Sequence, residues 1–107
     1  MADKKEERRY RRAKIKWPVV IMAPYGLIDG RAKNISLGGA FVSCSRQPNS
    51  DTDFRMVLIA EERFILVNAQ VVWLDTRKTM FRGLGVRFTT FLVNDRPFIS
   101  RIISNGA

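Results

Sequence analysis

The sequence predicts a mainly β domain, a closed barrel or sandwich of short strands followed by one helix. Three observations predict it. Val, Ile, Phe and Thr are common and alanine is sparse across the 107 residues, which favours strands over helices. Short apolar runs alternate with turn residues at regular spacing along the chain, the pattern of a barrel or sandwich. Near the C-terminus the apolar period lengthens to that of a helix.

Taken in order, residues 1–13 are polar and charged with no strand alternation. They read as a flexible or partly helical basic tail ahead of a single domain over 14–107. Trp17 to Met22 is β-rich, and Pro18 suggests the start or edge of a strand. Pro24-Tyr25-Gly26 is a turn signal. Leu27 to Ile35 is a second strand and Ala40 to Cys44 a third. Arg46 to Asp53, holding Pro48, Asn49 and Ser50, reads as a loop. Phe54 to Ala60 is a fourth strand, and Glu61-Glu62-Arg63 a turn. In the long run Phe64 to Leu74, alternation puts Val67, Ala69, Val71 and Trp73 on one face. Asp75 to Thr79 reads as a turn, and Met80 to Thr90 as the last strand. Asn94-Asp95-Arg96-Pro97 is a helix-start signal. Phe98, Ile99, Ile102 and Ile103 then form one apolar stripe, suited to capping the open end of a barrel or to binding a partner.

Composition excludes several function classes. There is no histidine, hence no Ser-His-Asp triad, Cys-His pair or His-based metal site. One cysteine cannot form a thiolate zinc site or an internal disulfide, and fits a reducing compartment. No P-loop motif occurs. Asp51 and Asp53 lie in the loop, where acids usually serve turn chemistry. No metal, cofactor or enzymatic reaction is expected. The longest uncharged apolar run, Trp17 to Ile28, is broken by prolines and a glycine and is shorter than the ~20 residues that span a bilayer. No secretory signal is apparent, so the expected location is cytoplasmic without membrane insertion. The net charge is +9. Residues 1–16 carry eight basic and three acidic side chains, or +5, which points to an anionic partner at that end.

Two motifs carry the functional signal. Arg8-Arg9-Tyr10-Arg11-Arg12 is a cluster of guanidinium forks suited to gripping phosphate. Asn34-Ile35-Ser36-Leu37-Gly38-Gly39 follows as a short polar turn, where two glycines let backbone approach a ligand closely. Together they read as two halves of one site for a small anionic nucleotide.

An R-x-x-x-R run, Arg8 to Arg12, followed by N-x-S-x-x-G at Asn34, Ser36 and Gly39, resembles the PilZ domain. The resemblance extends from about residue 7 to 103, with Asn34 where Asp is commoner. It implies a six-stranded antiparallel barrel with a C-terminal helix. It further implies a non-enzymatic receptor for the bacterial second messenger cyclic di-GMP, controlling motility, biofilm, exopolysaccharide or virulence through an effector protein. The ligand-binding residues it implies are Arg8, Arg9, Arg12, Asn34, Ser36, Gly38 and Gly39. Gly85, late in the barrel, is a further candidate for close approach of a guanine edge. Glu7, where the family associates a basic residue with a ligand dimer, implies one cyclic di-GMP per chain.

Two other readings stand beside this one. A small basic barrel could bind RNA or single-stranded DNA, because the chain has eleven aromatic residues and a pI near 10.6. Most of those aromatics fall in apolar runs that look like core, and no RNP-like motif appears, so nucleic acid is the weaker expectation. A PilZ-like interaction module without ligand is the other alternative, against which the intact motifs speak.

Overall fold

Apolar and polar residues alternate along each strand, so every strand has one face that water expels and one that it solvates. Six such strands bury their apolar faces most completely by closing on themselves. The computed structural model describes residues 11–48, 53–77 and 80–106. In chain order the elements are β1 (Ala13–Ala23), β2 (Gly26–Ile35), β3 (Gly39–Cys44), β4 (Phe54–Ala60), β5 (Arg63–Arg77), β6 (Met80–Phe91) and α1 (Arg96–Gly106). The strands form a closed antiparallel barrel in the order β1-β2-β3-β6-β5-β4. Closure is made by β4, which pairs β1 through Val19–Leu58 to Met22–Arg55.

The barrel interior is filled. Ile21, Ile35, Met56, Leu58, Ile65 and Leu84 point inward and have no exposed surface. Cys44 lies at the margin of this core, and burial pushes its thiol pKa up, so it remains an unreactive thiol at neutral pH.

The strand assignments match the sequence with three differences. β1 begins at Ala13, four residues before Trp17, because Ala13 is buried and pairs with Ile35. The charged neighbours Lys14 and Lys16 project to solvent from the same strand. Pro18 lies inside β1 rather than at its start. Pairing with β4 begins only at Val19, so the proline precedes the two-sided part of the strand. β5 continues to Arg77 and β6 to Phe91. The tail reading for residues 1–13 falls largely outside the described residues.

The helix closes one end of the barrel. Ile99 and Ile103 are buried, with Phe98 and Ile102 packed against the same core, as the apolar stripe predicts. Phe98 stacks on Trp17 of β1 with ring centroids 6.3 Å apart. The N-terminus of α1 is held by Arg63 at the start of β5. Its guanidinium donates to the Asp95 carboxylate at 3.0 Å and lies 4.3 Å from the Phe98 ring centroid. The Asp95 carbonyl accepts the first helical bond, from Ile99 N–H. Among the described residues no helix is long and apolar enough to cross a membrane.

Asp95 is buried while Arg63 is half exposed, so the pair sits between the surface and interior cases. Asp95→Ala is expected to destabilise the domain by roughly 1–2 kcal/mol through the lost charged hydrogen bond. A shift in the urea midpoint at constant slope checks this.

Candidate functional site

A barrel filled with side chains leaves only its outer surface for a ligand. Strand alternation decides which residues reach that surface, and two register shifts change the outcome. In β2, Ala32 pairs with Val42 and Asn34 with Phe41, leaving Lys33 as an extra residue. Ala32 and Ile35 both point inward although three residues apart. Asn34 therefore faces out. In β5, Val71 pairs with Val86 and Trp73 with Gly85, leaving Val72 as the extra residue. Without that bulge Trp73 would follow Val67 and Ala69 into the core. With it, the indole turns outward. The sequence expectation that Trp73 shares a face with Val67, Ala69 and Val71 is corrected by this bulge.

Outward-facing residues of four neighbouring strands thus converge on one cavity of about 470 Å³, within the size range of small-molecule sites. Phe41 of β3 and Trp73 of β5 stack across the intervening strand β6, with centroids 5.3 Å apart and planes 18° from parallel. Gly85 of β6 lies beneath them, paired with both. A Cβ on Gly85 would collide with the Trp73 indole nitrogen. The missing side chain at Gly85 thus admits the indole, which becomes the wall presented to the cavity.

The turn between β2 and β3 forms another wall. Ser36 is buried, and its Oγ accepts the N–H groups of Gly38 and Gly39, each at 3.1 Å. Ser36 N–H donates to the Gly39 carbonyl at 2.8 Å, and Phe88 N–H to the Gly38 carbonyl at 2.8 Å. Asn34 Oδ1 accepts Phe41 N–H at 3.2 Å. What Asn34 chiefly retains for a ligand is its pair of amide N–H donors. Gly39 pairs with Arg87, and a Cβ there would run into the Val86 carbonyl oxygen. Its lack of a side chain serves close strand approach between β3 and β6, whereas the sequence reading assigned it to close approach of a ligand.

Arg12, Asn34, Ser36, Gly38, Gly39 and Gly85 all line this cavity. Arg8 and Arg9 lie outside the described residues. Phe41, Asp75 and Arg87 also line it, and Phe41 and Asp75 were not among the sequence candidates. The cross-strand alignment of Phe41, Gly85 and Trp73 is a three-strand pattern that no single segment displays. Arg87 is oriented by a hydrogen bond to Gln70, its cross-strand neighbour. Lys14 stands opposite Asn34 across β1 and β2, which brings a further cation close to the site. Among the described residues no group of acids or cysteine could hold a metal.

Gly39→Ala is expected to lower stability by about 1–3 kcal/mol, as overpacking does, because the added carbon meets backbone. Gly85→Ala is expected to leave the barrel folded and to displace Trp73. Red-shifted tryptophan emission with stronger quenching by acrylamide, alongside a thermal melt, separates the two effects.

The family model of the PilZ domain matches residues 6–104. Several solved structures share the fold. The Bacillus subtilis inhibitor of motility MotI/DgrA is 21% identical with a TM-score of 0.75, over 91% of this chain and 49% of that one. The PilZ domain of YcgR from Escherichia coli, solved with c-di-GMP, is 17% identical with a TM-score of 0.73, over 92% of this chain and 89% of that one. YcgR from Escherichia coli in complex with c-di-GMP is 18% identical with a TM-score of 0.72, over 91% and 44%. This chain therefore spans about half the length of MotI/DgrA and less than half of that YcgR chain. No curated protein matches it in sequence. The family match covers nearly the whole described barrel and its helix, and this chain belongs to the PilZ domain family.

Proposed function

We propose that this domain is a non-enzymatic receptor that binds cyclic di-GMP on the outer face of the barrel and relays the signal by a change of shape or of protein partner. The observation that carries the reading is the meeting of Arg12 and the Asn34–Gly39 turn on one cavity, although 21 residues separate the two motifs. Membership of the PilZ family and the ligand named for the YcgR structures support it.

The chemistry of the cavity suits such a ligand. Cyclic di-GMP presents two phosphates and two guanines. The Arg12 guanidinium can take phosphate oxygens, or the O6/N7 edge of a guanine, in bidentate fashion. In this reading Arg8 and Arg9, four and three positions earlier, add further forks. The Asn34 amide donors fit phosphate oxygen or guanine O6. Asp75 would repel phosphate, but its carboxylate can accept from the N1–H and N2–H₂ edge of a guanine. The Trp73 ring, braced from behind by Phe41, offers a face on which a purine can stack. Ser36 acts mainly by shaping the turn, since its hydroxyl is occupied by Gly38 and Gly39 N–H.

Isothermal titration tests the proposal, with cyclic di-AMP and GTP as controls. Selective binding of cyclic di-GMP at one per chain is expected. Arg12→Ala is expected to weaken it about ten- to a hundredfold, given roughly 1.5–3 kcal/mol for hydrogen bonds to charged groups. Arg101→Ala, on the exposed face of α1 and outside the cavity lining, removes the same charge and is expected to stay within about twofold. Equal losses in both variants, with no selectivity among nucleotides, would replace the receptor by a nonspecific polyanion binder.

A further inference from the structure

The side of the barrel away from the cavity carries an apolar surface of its own. The cavity is centred on the β3–β6 junction, and the strand order puts the β4–β1 junction opposite it. There the outward residues of three adjacent strands are registered in rows. Val20, Val57 and Leu66 form one row, and Ile59 and Phe64 the next. Phe64 is 65% exposed, and the other four are half-buried although they point away from the core. Outer faces of barrel strands are ordinarily polar, so two rows of branched and aromatic side chains invite a covering surface.

The ends of β4 say which surface fits. Arg55 stands at one end of its outer face, and Glu61 and Glu62 form the turn at the other. A two-fold axis crossing the strands at the level of Leu58 would lay β4 antiparallel on β4 of a second copy. Val57 then faces the second copy's Ile59, Leu66 its Phe64, and Arg55 its Glu61, each contact occurring twice. This is the self-complementarity that an isologous interface requires, in the aligned geometry of packed sheets.

We propose that this face is a contact between two copies of the chain, leaving both cavities open on the far sides. The inference does not depend on the identity of the cavity's ligand. Three strands about 4.8 Å apart bury far less than the ~800 Å² per partner of a standard interface. The dimer is accordingly weak. The net charge of +9 opposes association, but at 0.15 M salt charges more than about 8 Å apart are largely screened.

Sedimentation velocity on the full chain from micromolar to millimolar concentration, in 0.15 M salt, tests this. Concentration-dependent dimer is expected for the natural sequence. Phe64→Ser, Arg55→Glu and Glu61→Arg are each expected to weaken it at least fivefold. All three positions are exposed, and Glu61 already holds a φ of 57°, so unchanged melting curves are expected and are measured alongside. The decisive arm mixes Arg55→Glu with Glu61→Arg in equal amounts. Each variant alone sets like charges together, whereas the mixed pair restores opposite charges at both contacts and should recover the dimer. A monomer at every concentration, a dimer indifferent to these substitutions, or a mixture that fails to recover overturns the proposal.

Discussion

Six strands closed into a barrel enclose room for side chains and nothing else. The constraint sets the rest of the molecule. Every inward position is taken by residues such as Ile21, Met56, Leu58 and Ile65, all without exposed surface. A ligand must bind outside, on residues that strand alternation would ordinarily give to solvent. Alternation alone also fails to deliver the right side chains, since an unbroken β5 would bury Trp73. The extra residues Lys33 and Val72 resolve the conflict by reversing parity partway along their strands. In β2 the shift keeps Ile35 in the core while Asn34 faces the cavity, and in β5 it brings Trp73 to the cavity.

Backbone proximity makes the reversal workable. Phe41 and Trp73 belong to strands separated by β6, and their rings can stack only if nothing stands between them. Gly85 meets that requirement. Gly39 meets a related one where β3 begins against the Val86 carbonyl, and the Gly38 carbonyl just before it accepts Phe88 N–H. The turn is fixed to β6 at one end and knitted by Ser36 at the other. A turn held at both ends is pre-organised, so little conformational freedom remains to be lost when a ligand arrives.

The strands, the helix and the two motifs were legible in the sequence because each is a local pattern. Alternation within Phe54–Ala60 and the stripe from Phe98 to Ile103 report burial directly. Arg12 and the Asn34–Gly39 turn were legible as residue types suited to an anion. The direction of Trp73 was not, because a bulge is a relation between two strands and leaves no mark in either one alone. The strand contact that Gly39 serves was hidden for a similar reason. A glycine needed against backbone and a glycine needed against a ligand look the same until the neighbouring strand is in place. The early start of β1 escaped because Ala13 is small and stands among charged residues, so its complete burial has no counterpart in hydropathy.

Charge alone would have pointed as readily to nucleic acid as to a small nucleotide, and the arrangement separates the two. A polyanion is tracked by a stripe of cations along one face. Among the described residues, Arg31, Arg55, Arg77 and Arg101 are exposed on β2, β4, β5 and α1, spread around the barrel rather than aligned. The aromatic rings are distributed just as tellingly. Trp17 and Phe88 are buried in the core, Phe98 stacks on Trp17, and the stacked pair Phe41 and Trp73 is confined to one cavity. The same cavity brings Arg12 and Arg87 together with an acid, Asp75, which has no use against a row of phosphates but can read the donor edge of a guanine. A site that combines cation, carboxylate and aromatic face within about 470 Å³ suits the compact ligand proposed above, which carries phosphate and purine together.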